Sequence, residues 1–165
     1  LGENIYIEIL SQANDYVYIF TPYLIIDNEL QSALKLAAKR GVDVRIVTPG
    51  IPDKKLVFRI TRSNYSPLLK SGVKIYEYSP GFMHAKSYVS DDKLGMVGTI
   101  NMDYRSLYLH FECGVVLYEN ESIIQLKNDS LQTFSVSKEI KEEDINAGLF
   151  ARIFDAIIRL FAVLF

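Results

Sequence analysis

The sequence predicts an α/β fold in which a mixed, largely parallel β-sheet is flanked by helices. Three observations predict it. Strand and helix signals alternate as β-α-β-α-β over residues 16–78, an order that calls for crossover connections and parallel pairing. Both helix signals end in glycine, Gly41 and Gly72, the residue that best takes the left-handed position after a helix. Beyond Tyr78 the rhythm changes to short strands, two of them joined by the polar turn Asp91-Asp92-Lys93, which makes the sheet mixed.

The elements follow in order. Tyr16 to Thr21 is β-branched and aromatic, and Pro22 closes it. Asp27 or Asn28 caps a helix running from Glu29 to Arg40. Val42 to Thr48 is a second strand, and Pro49-Gly50-Ile51-Pro52 is a turn whose Pro52 is placed to open a helix reaching about Lys70. Val73 to Tyr78 is the third strand. His84 to Ser90, Leu94 to Thr99 and Glu112 to Leu117 read as strands, and Asn120 to Phe134 as a helix. Val136 to Asp144 is a charged connection. In the last segment Arg152, Asp155 and Arg159 form one narrow stripe on a helix whose remaining surface is apolar. The chain therefore divides into residues 1–148, one half-domain, and an amphipathic helix over residues 149–165, either packed on the domain or lying in a membrane interface.

Length and composition set the bounds. The 165 residues suit one domain or two small ones, and 49% apolar with 23% charged residues excludes a disordered, collagenous or disulfide-built chain. A net charge of -2 argues against a general polyanion binder, so no nucleic acid is expected as a partner. Cys113 is the only cysteine, which rules out an internal disulfide and fits a reducing compartment. No signal peptide and no bilayer-spanning run is present, and a start at Leu1 without methionine suggests a piece of a longer protein.

The chemistry concentrates around one of two histidines. His84 and Lys86 are two apart on a predicted strand, so the imidazole and the ammonium project from one face. Asp91 closes the strand, and the hydroxyl of Thr99 and the amide of Asn101 follow after the next one. A neutral imidazole can attack phosphorus and form a phosphohistidine, dividing one hard displacement into two easier steps. Lys86, Thr99 and Asn101 offer one cation and two neutral hydrogen-bonding groups to the phosphoryl oxygens. With two histidines and no acidic cluster near the motif, neither a metal nor a cofactor is expected.

The spacing His84-x-Lys86-x4-Asp91-x6-Gly98-Thr99-x-Asn101 resembles the HKD motif of the phospholipase D superfamily at every position. The resemblance implies that an acid downstream orients the histidine. Glu112 stands at that position, so it is expected within hydrogen-bond reach of His84, with Asp91 in a supporting role at the turn. The superfamily builds its site from two such motifs facing each other across a pseudo-two-fold axis, one histidine as nucleophile and the other as general acid. This chain holds one motif, so a second half or a second copy of the chain is implied. The run from Asn101 to Glu112, with Thr21-Pro22-Tyr23, Gly41 to Arg45, Gly72 to Tyr78 and Gly81 to Lys86, is similar to the C-terminal half of bacterial cardiolipin synthases over about residues 5–165. What this implies is a phosphatidyltransferase that joins two phosphatidylglycerol molecules and releases glycerol at the bacterial cell membrane, with anionic phospholipids and the membrane surface as partners. A phospholipase D or nuclease-like phosphodiesterase acting as a homodimer is the enzyme alternative. A non-catalytic membrane-docking module is the other.

Remaining candidates carry less. His110 has no partner in the motif and is expected on a loop or strand face. Cys113, beside an apolar strand, reads as a small buried hydrophobe. Lys54, Lys55, Arg59 and Arg62 form a basic helix face, read as a solvated surface or as a contact for anionic head groups. Tyr23, following the first strand, is placed to reach the site at the strand's carboxyl end.

Overall fold

The structure, a computed structural model, describes residues 2–145 and residue 158. Its centre is a seven-stranded sheet. The strands are β1 (Tyr16–Phe20), β3 (Asp43–Pro49), β4 (Lys74–Tyr78), β5 (Ser87–Ser90), β6 (Leu94–Gly98), β8 (Gly114–Tyr118) and β9 (Lys138–Ile140), in the order β8-β6-β5-β1-β3-β4-β9. β1, β3 and β4 pair in parallel, and the strands beyond them on either side add antiparallel. A separate parallel pair joins β2 (Leu24–Ile25) to β7 (Met102–Asp103).

Alternation along β1 builds a core on each face. Val17 and Ile19 pack with Val44 and Ile46 under α1 (Gly2–Gln12), α2 (Asn28–Lys39) and α4 (Tyr65–Leu69), which contribute Tyr6, Leu10, Leu30, Leu34 and Leu68. Tyr16, Tyr18 and Phe20 pack on the other face with Val47, Tyr76, Ile123 and Phe134, the last two from α5 (Glu121–Ser135). All five β1 residues are buried, as expected of a strand covered on both faces. α3 (Lys55–Ser63) sits over β2, where Val57 and Ile60 meet Ile25.

Local chemistry sets the ends of these elements. Asp27 caps α2, its side chain accepting from the Leu30 backbone N–H, and Gly41 follows the helix at φ 98°. Asp91 and Asp92, at φ 52° and 57°, form a tight hairpin between β5 and β6 closed by Lys93 N–H to Ser90 C=O at 3.0 Å.

Several elements differ from the sequence reading. The helix expected from Pro52 begins at Lys55 and breaks at Asn64, whose side chain donates to the carbonyls of Leu24 and Ile60. Pro67 has no N–H for an unbroken helix and falls instead in the first turn of α4, where none is needed. Strand β5 begins at Ser87, leaving His84 and Lys86 just before it. α1, β2, β7 and a π-helical turn at Arg105–Leu109 were not anticipated. The charged stretch after α5 contains β9, an edge strand that buries Ile140 against the core and keeps its charges outward. The helix expected over residues 149–165 lies outside the described residues except for Ile158, which is buried against Ile25, Val57 and Ile60.

Candidate active site

Pairing brings distant segments to one end of the sheet. β1 and β3 run parallel, so the segments after them, carrying Tyr23 and Asp53, leave side by side. β5 runs antiparallel to β1 with Ser87 opposite Phe20, so the segment entering β5 arrives at the same end. That segment carries His84 and Lys86. The carboxyl ends of parallel strands are where α/β sheets commonly form sites.

His84 and Lys86 meet although they precede the strand. Lys86 Nζ lies 2.7 Å from His84 Nδ1 and also donates to the His84 carbonyl at 2.7 Å. An ammonium has donors only, so Nδ1 accepts and the neutral ring carries its proton on Nε2. Burial, and after it the Lys86 charge, hold the His84 pKa below the usual histidine value, while Asp53 pulls it up. Burial likewise lowers Lys86, opposed by Glu112 and Asp103. Phe82 stacks on the imidazole with centroids 5.6 Å apart, and Tyr23 meets it edge-to-face at 6.2 Å. Tyr23 thus reaches the site as the sequence suggested.

An open pocket of about 560 Å³ joins His84 and Lys86 to Thr99 and Asn101, with Val97, Leu126 and Asp129 on its wall. Asn101 Nδ2 donates to Ser106 Oγ at 3.0 Å, and its Oδ1 is buried without a hydrogen-bond partner. Gly98 has a steric reason to be glycine. A Cβ there would lie 2.3 Å from the Cys113 carbonyl oxygen and 2.7 Å from Gly114 Cα, across the β6–β8 pair.

Glu112 departs from its expected place. It accepts a short hydrogen bond from Thr99 Oγ1 and lies 3.6 Å from His110 Nδ1, and it has no hydrogen bond to His84. The sheet order explains this. Glu112 precedes β8 and His84 precedes β5, with β6 between them, a separation of about 10 Å at the usual strand spacing. Thr99 is correspondingly tied to the β8 side, its hydroxyl on Glu112 and its N–H on the Cys113 carbonyl at 2.8 Å.

Asp91 is outside the pocket. Its carboxylate accepts from the backbone N–H groups of Asn14, Asp15 and Tyr16 at 2.8, 3.1 and 2.9 Å, clamping the hairpin to the start of β1. It fixes the turn end of β5, the strand that follows His84 and Lys86. Cys113, expected to be buried, is a free exposed thiol, because β8 is an edge strand with an uncovered face. His110 is exposed on the loop after the π-helical turn, as expected, and takes a 3.3 Å contact from Arg105 Nε. In the basic helix face, Arg62 pairs with Glu77 at 3.2 Å, so that cation is committed to the fold.

Sequence reasoning missed Asp53, Leu126 and Asp129. Asp53 accepts from the Tyr23 hydroxyl at 2.6 Å, a contact between loops thirty residues apart with no local signal. Leu126 and Asp129 reach the pocket only because α5 crosses that face of the sheet.

The site is thus an imidazole and an ammonium in contact within an open pocket, at the end of a sheet that carries a glycine-hydroxyl-amide run. The family described as "Cardiolipin synthase, PLD-like domain" matches residues 6–133, and the chain belongs to that family. A cardiolipin synthase of Halalkalibacterium halodurans is 36% identical over 165 residues, covering 99% of this chain and 33% of the relative. The chain spans about a third of the length of the curated relatives it matches. Two solved structures share the fold at 16% identity. Phosphatidylserine synthase of Haemophilus influenzae has a TM-score of 0.75 over 99% of this chain and 43% of its own. Nuc of Salmonella typhimurium, a phospholipase D family member, has 0.73 over 84% of this chain and 90% of its own.

Proposed function

We propose that this chain supplies the C-terminal catalytic half of a cardiolipin synthase, transferring a phosphatidyl group between two phosphatidylglycerol molecules. The observation that carries the reading is the His84–Lys86 contact in a pocket shared with Thr99 and Asn101, in a chain of the cardiolipin synthase family. One histidine of a facing pair attacks phosphorus, an N–P bond forms, and the P–O bond to glycerol breaks. The other histidine gives the departing oxygen a proton. The hydroxyl of a second phosphatidylglycerol then attacks phosphorus, the N–P bond breaks, and its proton returns to the second histidine. Two phosphatidylglycerols thus become cardiolipin and glycerol.

The imidazole must become cationic in either role. It cannot do so while Lys86 donates to Nδ1, because a protonated Nδ1 would face an ammonium. The phosphate of the substrate resolves this: it draws Lys86 Nζ to its own oxygens and frees Nδ1. Val97, Phe111, Val115 and Val116, large and exposed near β8, suit the contact with a second half that would complete the site. Among the described residues no helix is long and apolar enough to cross a membrane.

A homodimeric phosphodiesterase is the second reading, drawn from the near-complete coverage of Nuc. The test replaces the matching third of the Halalkalibacterium halodurans enzyme with this chain and assays the chimera in phosphatidylglycerol vesicles. Cardiolipin and free glycerol in equal amounts support the reading. Cleavage of a phosphodiester by the chain alone, as a dimer, would support the second. Cardiolipin synthesis that survives His84→Ala would leave this half a docking module.

A further inference from the structure

We propose that Tyr23 and Asp53 form a positioning pair for His84: Asp53 fixes the Tyr23 ring through its hydroxyl, and Tyr23 holds the imidazole while Phe82 stacks on its face. The proposal rests on the reading of His84 as a reacting group.

The geometry has three parts. The Tyr23 hydroxyl donates to Asp53 Oδ2 at 2.6 Å, and Asp53 Oδ1 accepts from the Lys54 backbone N–H at 2.7 Å, so the carboxylate is held at both oxygens. The Tyr23 ring stands nearly perpendicular to the imidazole, at 85° and 6.2 Å between centroids. Phe82 lies 25° from parallel to it at 5.6 Å. These rings border the imidazole on two sides, and no carboxylate of the described residues hydrogen-bonds to it. Topology produces this: Tyr23 and Asp53 follow neighbouring parallel strands, and His84 enters the adjacent antiparallel one at the same end.

The charges give the pair a second effect. Phosphoryl transfer places positive charge on the imidazole, whether it takes up phosphorus or carries a proton. Burial and Lys86 oppose that charge, and Asp53 is the carboxylate that favours it. The groups acting on the ring are therefore Lys86 from its own segment, Asp53 from the segment after β3, and the neutral rings of Tyr23 and Phe82. Asp53 keeps its negative charge readily: burial works against it, but the Tyr23 hydroxyl and backbone N–H groups outweigh that and hold its pKa low.

The test measures the charge on His84 directly. The chain has two histidines, each with two carbon-bound imidazole protons, Hδ2 and Hε1, so four such resonances are followed, and His110→Asn assigns them. Each is titrated in the wild-type chain, Asp53→Asn, Asp53→Glu and Tyr23→Phe. Asp53→Asn is expected to move the His84 midpoint downward, and Asp53→Glu to restore it. Tyr23→Phe is expected to change the His84 ring shifts as the clamp loosens. A His84 midpoint unmoved by Asp53→Asn, in a chain whose amide spectrum stays folded, would overturn the pairing. In the chimera, Asp53→Asn is expected to lower kcat about tenfold with KM held, a part of the 10²–10⁴ that acid–base catalysis contributes. If the chimera makes no cardiolipin while the midpoint still shifts, the functional reading fails and the pairing stands.

Discussion

Replacing Asp91 with alanine removes the acceptor for three backbone donors, those of Asn14, Asp15 and Tyr16. Hydrogen bonds to a charged group contribute about 1.5–3 kcal/mol each. The bonds to Asn14 and Asp15 are exposed and water can replace them in part, while the bond to Tyr16 is part-buried. Taking about 1 kcal/mol for each exposed bond and about 2 for the other gives about 4 kcal/mol. Alanine also meets a φ of 52°, which costs about 1 kcal/mol more. The expected loss is therefore about 4–5 kcal/mol, or roughly 10–20 °C in Tm for a chain of this size. Urea unfolding followed by circular dichroism measures it, with an unchanged m-value showing that the unfolded state is the same. Asp91→Asn, which tolerates the left-handed backbone and keeps one acceptor oxygen, should lose about half as much. A loss below about 1 kcal/mol for alanine would refute the clamp. If activity in the chimera vanished with that small loss, Asp91 would belong to the chemistry after all.

Other outcomes follow from the same geometry. Gly98→Ala should separate β6 from β8 and destabilise the chain by about 2–3 kcal/mol, read in the same urea assay, because its Cβ meets backbone and not a movable side chain. Lys86→Met should raise the His84 midpoint in the imidazole titration, since it removes a charge that holds it down. Asp43 is opposed by burial, but Arg45 and Lys74 outweigh that and lower its pKa. Its contribution to stability is complete above the ordinary carboxylate range and is lost as the pH falls through the depressed value. Asp43→Asn should therefore lose less stability than the wild type on acidification from about pH 4 downward. Cys113 should react with a thiol reagent in the native chain without denaturant.

Much of the fold was legible because its signals are local. Asp27, Gly41 and Gly72 mark helix ends by backbone chemistry, and β1 reads as an apolar run because both its faces are covered. β9 was not legible, because an edge strand that buries mainly Ile140 looks like a charged linker. The same distinction holds in the site. His84, Lys86, Thr99 and Asn101 share a pocket as their spacing suggested, although His84 and Lys86 lie before the strand and not on it. Glu112 was misplaced because spacing along the chain carries no information on strand order, and β6 intervenes. Asp53 was invisible for the converse reason: only the parallel pairing of β1 with β3 brings its loop beside Tyr23.

The central claim is that this half carries a reacting histidine in phosphatidyl transfer. The most direct measurement is cardiolipin formed by the chimera in phosphatidylglycerol vesicles, with His84 intact and with His84→Ala. The account predicts cardiolipin and glycerol in equal amounts from the first, and turnover lowered by at least about a hundredfold in a folded second. Equal synthesis by both would contradict it.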